Sequence, residues 1–450
     1  MHVPYFSFRY PLSLILLSCG ILIVLFGCSS AAPTAAPSET PSSAASAETN
    51  TLTLWHTFDE THQKALEQLA DEFHKTYPDL TINPVYVGGH DDLSKQMTAA
   101  IALGTPPDLV LADRRQIAEF AAQGGLRALE PFLGDAELGL SKQDRDDFWQ
   151  GALALGTYPT LGNRTYGFPF DQEPLVLFYN ADLLKSVNVN GAPRTWEQFG
   201  QDATAATKEQ TYGWAMRADA ATLEGMLASR GSALLTDAET RALLNERAGL
   251  ASMKLVADLT EAQAAKLASS DDKARNEFGA GKAAYYIGWL SEADALENAQ
   301  KAAKQKFQIR VAPLPQLDPE TPWLLTRGDL FGITKVSNER ARNAWFFIRW
   351  ITSPTQSARW VRATDALPLR ASTLTYLSPS TQTNARYRQI LNALDNVAPR
   401  FAPQPAHPYM DTVERTVGDA WLQVTEPKPD VRAILDAIAA RINQILAIQP

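Results

Sequence analysis

The sequence predicts an α/β protein whose parallel sheet is covered by helices on both faces. Three observations carry this. Short apolar runs alternate with longer amphipathic segments from Leu52 to Gly125. The amphipathic segments stop at helix-ending residues: Pro78, Gly104 and the pair Gly124-Gly125. The chain is 450 residues long, 45% hydrophobic and 20% charged, which suits large cores and more than one domain or lobe.

The elements follow in order. "LTLWH" reads as a buried strand. Asp59 stands where a helix N-cap belongs, and Ala65, Leu66, Leu69, Ala70, Phe73 and Tyr77 then recur at helical spacing. "LTINPVYV" is a second strand. Leu93, Met97, Ala100 and Ile101 mark a second helix, and "DLVLA" (Asp108 to Ala112) a third strand. Alternation of this kind argues for a parallel sheet. It is interrupted at "YGFPFDQEPLVLFYNADLL", where Val176 to Tyr179 forms a fresh strand. Thr195 caps the next helix, and helical patterns dominate to about residue 300. "AAYYIGWL" and "QIRVAPLP" are strands within that region, and Leu330 to Ile333 is one more. "SNERARNAWFFIRWITSPTQSARWV" is a helix pair split at Ser353-Pro354, with Ser353 as cap and Pro354 in the first turn. In the last helix Val431, Ile434, Leu435, Ile438, Ile442 and Ile445 share a face.

The N-terminus has its own logic. Leu12 to Phe26 is almost unbroken apolar sequence behind the single firm positive charge of Arg9. At about 15 residues it is short for a membrane span, which needs roughly 20. It reads as an export signal. Leu25-Phe26-Gly27-Cys28 resembles a bacterial lipobox, which implies that residues 1–27 leave as a signal peptide and Cys28 carries a lipid. Leu16-Leu17-Ser18-Cys19 is a second formal match with a shorter apolar run. An uncleaved N-terminal anchor leads to the same extracytoplasmic address. Residues 28–49, mainly Ala, Ser, Thr and Pro, cannot bury enough apolar area to offset the entropy of ordering them. They read as a flexible tether. With Cys28 lipidated and Cys19 removed, thiol catalysis, disulfides and cysteine-bound metals drop out.

The formal net charge of −9 argues against nucleic acid and anionic lipid as electrostatic partners. There is no H-E-x-x-H, no G-x-S-x-G and no P-loop. No enzyme, metal or cofactor is indicated. The many carboxylates leave an extracytoplasmic carbohydrate-active enzyme as a remote alternative, and a signalling receptor as another.

A set of segments in order then resembles one family. These are "LTLWHTFDETHQKALEQLADEFHKTYPDLTI", "LGTPPDLVLAD", "GGLRALEPF", "YGFPFDQEPLVLFYNADLL", "RTWEQF", "FGAGKAAYYIGWL", "RGDLFGITKVSNERARNAWFFIRWITSPTQSARWV" and "ALPLRAS". Together they resemble the extracellular solute-binding proteins of ABC importers, the group that includes maltose-, oligosaccharide- and glycerol-3-phosphate-binding proteins. The resemblance covers roughly Thr51 to the end. It implies a two-lobed periplasmic-binding-protein-like fold of the maltose-binding-protein type (type II), with a hinge crossed several times: near Phe170 to Leu175, Thr326 to Phe331 and Leu367 to Ala371. Lobe 1 would hold residues 50–172 and 330–372, and lobe 2 residues 173–329 and 373–450. It also implies ABC permease subunits as partners, a small-molecule solute as ligand, and a monomer that closes on that ligand.

In an open α/β sheet, ligands bind beyond the carboxyl ends of the strands. Trp55, Thr57 and Asp59 occupy such an end and lead into a helix N-terminus. Asp59 equally suits capping, and Trp55 a core position. His90 follows the second strand, and Asp113 and Arg114 the third. Asp171, Gln172 and Glu173 are three polar residues between "FPF" and "LVLFY", hard to explain as core. Arg327 and Asp329 have the same standing at the second hinge strand, where an Arg–Asp salt bridge is the bland reading. Trp214 and Trp289 occupy places where the family often stacks a sugar ring. Trp345, Trp350 and Trp360 fall on helix faces and read as core. A sugar or oligosaccharide is the first expectation for the ligand. Glycerol-3-phosphate or a glycerophosphodiester is the alternative, with Arg114 and Arg327 as phosphate partners.

Overall fold

Leu52, Leu54 and His56 are buried while the residues between them are half-exposed, so the first apolar run folds as strand β1 (Thr51–His56). The computed structural model describes residues 50–377, 388–389 and 399–448. Cys28, Cys19, the expected signal peptide (1–27) and the tether (28–49) lie outside the described residues.

Helix α1 (Glu60–Thr76) buries Ala65, Leu66, Leu69, Ala70 and Phe73 on one stripe. Its N-cap is Asp59, whose carboxylate accepts from the backbone N–H of Thr61 and His62. Strand β2 (Thr81–Tyr86) pairs parallel to β1. Helix α2 (His90–Leu103) ends at Gly104, which adopts a left-handed φ of 73°. Strand β3 (Leu109–Asp113) returns parallel to the other side of β1. Its last residue, Asp113, caps helix α3 (Arg114–Ala122) by accepting from Gln116 N–H at 2.9 Å. Each such cap contributes about 1 kcal/mol. A small antiparallel ribbon follows, β4 (Thr157–Tyr158) with β5 (Arg164–Thr165).

The sheet departs from the all-parallel expectation at two long strands, β6 (Phe168–Asn180) and a later β11 (Trp323–Ile333). Both exceed the lengths expected from sequence, because their polar centres conceal strand backbone. They pair antiparallel over Phe168–Pro174 and Thr326–Phe331. The first half of β6 thus belongs with β2, β1, β3 and the end of β11, which pairs antiparallel to β3. The second half pairs antiparallel with β9 (Ala283–Trp289) and with β10 (Ile309–Pro313). Beyond β9 lie β7 (Tyr212–Met216) and β8 (Ala265–Leu267), joined by parallel pairing and unanticipated as strands. β12 (Arg400–Pro403) pairs parallel to the first residues of β11. The two halves of this mixed sheet therefore join through β6, with β11 beside it. The backbone N–H of Leu367 donates to the Gln172 carbonyl at 2.7 Å, which brings a third segment to the same junction.

Gly328 sits at the centre of that junction with φ 143°. A Cβ there would stand 1.9 Å from the Asp171 carbonyl oxygen, so only glycine lets β11 approach β6 this closely.

One apolar core packs α1, β1, β3, the helix Asn338–Ile351 and the helix Pro354–Thr364, and continues to Phe178 and Tyr286 on one face of the second sheet. The other core lies on that sheet's opposite face, under Trp421 and the helix Val431–Leu446. Trp345 and Trp360 are buried and Trp350 half-buried against the first core, as their helical spacing predicts. Ser353 does not cap by its side chain; its hydroxyl donates back to the Trp350 carbonyl at 2.7 Å.

Candidate functional site

A cavity of about 680 Å³ opens where the carboxyl ends of the first sheet's strands meet the shared strands. Ten candidates line it: Thr57, Asp59, His90, Asp113, Arg114, Asp171, Gln172, Glu173, Arg327 and Asp329. The fold gathers them simply. Thr57 and Asp59 follow β1, His90 opens α2, Asp113 and Arg114 join β3 to α3, and the rest lie on the two shared strands.

The three tryptophans do not join them. Trp214 is 1% exposed and packs edge-on against Phe199 and Trp421. Its strand is buried on both faces, so neither face reaches a cavity. Trp55 points away from the face of β1 that carries Leu54 and His56, and packs half-buried against the first core. Trp289 is buried under the Arg327 guanidinium, 4.4 Å from its ring centroid. Phe58, at 7% exposure, and the imidazoles of His62 and His90 are the rings that line the cavity among the described residues.

The floor is a row of aspartates. Asp113, Asp329 and Asp171 are direct neighbours on three adjacent strands, β3, β11 and β6. Asp171 accepts from the Trp360 indole N–H at 3.0 Å, and His62 Nε2 lies 3.9 Å from its other oxygen. His62 Nδ1 is 2.9 Å from Asp59. His90 lies 3.5 Å from Asp113 and 2.9 Å from the Gln116 amide oxygen. Burial raises the carboxyl of Asp171. Burial and then the Asp171 charge push Asp329 up to about 7.

The arginines are already engaged. Arg114 donates to the carbonyls of Gln404 and Thr157 at 2.8 Å each and to that of Leu155, and lies over the Tyr158 ring. Arg115 pairs with Asp411 at 3.0 Å and with Glu414. Arg327 pairs with Glu173 at 2.7 Å rather than with Asp329. Glu173 also accepts from the backbone N–H and hydroxyl of Ser291.

Sequence reasoning missed Phe58, His62, Arg115, Ser291, Asp294, Asp365 and Gln404, all of which line the cavity. His62 had a usable signal, its position three residues after Asp59 in the first turn of α1. Gln404, Asp294 and Asp365 reach the cavity through long-range packing, which leaves no local trace.

Two lobes that share hinge strands around a polar cleft define the class of two-lobed ligand-binding proteins. The chain belongs to the bacterial extracellular solute-binding protein family, which matches residues 59–358. It is 26% identical over 236 residues to an uncharacterized lipoprotein in the oleD 5′ region of Streptomyces antibioticus. That match covers 51% of this chain but only about half, 48%, of the relative. It is 22% identical over 333 residues to the sn-glycerol-3-phosphate-binding periplasmic protein UgpB of Yersinia pseudotuberculosis, covering 71% of this chain and 74% of that one. The fold is similar to the crystal structure of a cyclic α-maltosyl-1,6-maltose binding protein from Arthrobacter globiformis, with a TM-score of 0.72 and 19% identity over 88% of this chain and 98% of that one. The fold is thus that of maltose-binding-protein-like, type II periplasmic binding proteins, and the family is extracytoplasmic.

Proposed function

We propose that the protein captures a hydroxyl-rich solute, a sugar or oligosaccharide, by hinge closure and delivers it to an ABC permease without breaking a bond. The observation that carries this is the aspartate row set where the two sheets meet. Carboxylates accept from hydroxyls, and a ligand seated there touches both lobes, so closure gains affinity that the open state lacks. The lobes are residues 50–172 with 330–372, and 173–329 with 373–450. Cys28 carries the lipid that holds the monomer near its permease, after a signal peptide of 1–27 and through the tether of 28–49. Stacking on Trp55, Trp214 or Trp289 forms no part of this reading, and the hydroxyl network takes its place.

The kinship with UgpB favours a second reading, glycerol-3-phosphate or a glycerophosphodiester. The cleft's chemistry weighs against it. A phosphate would face the aspartate row, while Arg114, Arg115 and Arg327 already hold other partners. A thermal-shift screen over sugars, oligosaccharides and glycerol phosphates decides. A bound ligand raises Tm by mass action, about 2.7 kcal/mol at a hundredfold excess over Kd. Stabilisation by a glycan and not by sn-glycerol-3-phosphate is expected; the reverse would establish the second reading.

A further inference from the structure

We propose that the row Asp113–Asp329–Asp171 is a subsite for a protonated amine, so that the captured solute is a cationic, hydroxyl-rich molecule of the amino-sugar type. This rests on the reading of the cleft as a solute site and names the solute's chemistry.

Asp329 points to it most directly. It is only 6% exposed, lines the cavity, and its carboxylate has no hydrogen bond or ion pair among the described residues. Its neighbours across both ladders are also aspartates, one strand spacing of about 4.8 Å away on each side. The charged and titratable groups facing it are Asp171 on β6, Asp113 on β3, His62 on α1 and His90 on α2. His62 holds Asp59 through Nδ1 and stands 3.9 Å from Asp171 through Nε2, and His90 lies against Gln116 and Asp113.

Among the described residues, the side chains nearest the row that can carry positive charge are His62, 3.9 Å from Asp171, and His90, 3.5 Å from Asp113, and neither is bonded to Asp329. No lysine lines the cavity among the described residues. Arg114 is turned to three backbone carbonyls, Arg115 to Asp411 and Glu414, and Arg327 to Glu173. Asp329 and Asp171, side by side and largely shielded from water, resist ionising together without a positive charge between them. A hydroxyl donates one hydrogen bond to such a row and leaves the repulsion standing. An ammonium group offers three donors and the missing charge together. A bound ammonium lowers the proton affinity of Asp329, so binding releases a proton and tightens as pH rises from about 5.5 to 7.

The test uses the mature protein and isothermal titration calorimetry with glucosamine, N-acetylglucosamine and glucose, and with the β-1,4 disaccharides of each. Maltotriose and sn-glycerol-3-phosphate complete the set. The amine of at least one series is expected to bind about tenfold or more tighter than its acetylated and hydroxyl counterparts at pH 7. That preference should shrink at pH 5.5 and vanish in Asp329→Asn, whose cooperative melting shows that it folds. Equal or tighter binding of the neutral members overturns the proposal, as does a preference that survives in Asp329→Asn. Should no amine bind while maltotriose or a neutral sugar does, the amine subsite is wrong and the solute-capture reading stands. Should nothing in the set bind, both fall.

Discussion

Asp329 shows how a single residue can hold stability in reserve for a ligand. Its carboxyl is buried beside Asp171 and takes a proton more readily in the folded chain than in the unfolded one. The folded state therefore binds the extra proton between about pH 4 and pH 7, so this contribution to stability is full below about 4 and is lost progressively as pH rises to about 7. Asp329→Asn removes the ionisable group. It should raise the Tm of the ligand-free protein at pH 7.5, by about 2 °C or more, and change it little at pH 4.5. Calorimetry at the two pH values checks this; a lower Tm at pH 7.5 would mean that the carboxylate has a partner. His56 works in the opposite direction. Burial lowers its pKa to about 4, so the stability of its neutral form is full above about 6.5 and fades as pH falls toward 4. Trp214 carries a different lesson. Trp214→Ala should cost about 3–5 kcal/mol in chemical denaturation, with the Kd of the folded fraction unchanged. The carboxylates were legible because Asp171, Gln172 and Glu173 interrupt apolar sequence. The tryptophans were not, because a residue letter does not say whether a strand has a free face, and β7 has none.

At the scale of elements, the shared strands are the decisive feature. Their ends were legible as apolar runs, and their polar centres were not, since the same residues that serve the cleft break the strand pattern. Gly328 sits where these centres touch. Gly328→Ala places a Cβ against the Asp171 carbonyl at a positive φ, so the two strands must separate. A loss of about 1–3 kcal/mol is expected, read as a lower midpoint in urea; an unchanged midpoint would show that the junction yields freely. Further out, Asp108 ties three elements together. It accepts from both ends of the Arg340 fork at 2.6 Å and from Thr53 N–H at 2.8 Å. Asp108 is 3% exposed, so Asp108→Ala removes its bonds to Arg340 and Thr53, leaves Arg340 the Thr51 carbonyl, and should cost about 2–3 kcal/mol by the same measurement. "DLVLA" was legible as a strand, but nothing local placed its first residue against a helix more than two hundred residues later.

For the whole molecule, the alternation of strands and helices revealed the class, and the ordered run of family-like segments revealed the two lobes. The mixed sheet, with long antiparallel strands through its middle, was not legible, because pairing partners far apart in sequence leave no periodicity. In the proposed function, two lobes joined through a few strands close on the solute, and the cleft holds the groups that would drive closure. Arg115 on α3, which also lines the cavity, reaches Asp411 and Glu414 on the helix Met410–Val424. Asp411 is exposed and Glu414 partly so, and this bridge is worth at most about 1 kcal/mol and weakens in salt. In the proposed lobe division it joins lobe 1 to lobe 2, so it would favour closure and leave the decision to the ligand. Small-angle X-ray scattering of the mature protein, with and without the glycan found by thermal shift, tests this most directly. The account predicts a smaller radius of gyration and a shorter maximum dimension on saturation. A profile unchanged by a ligand that calorimetry shows to be bound would contradict it.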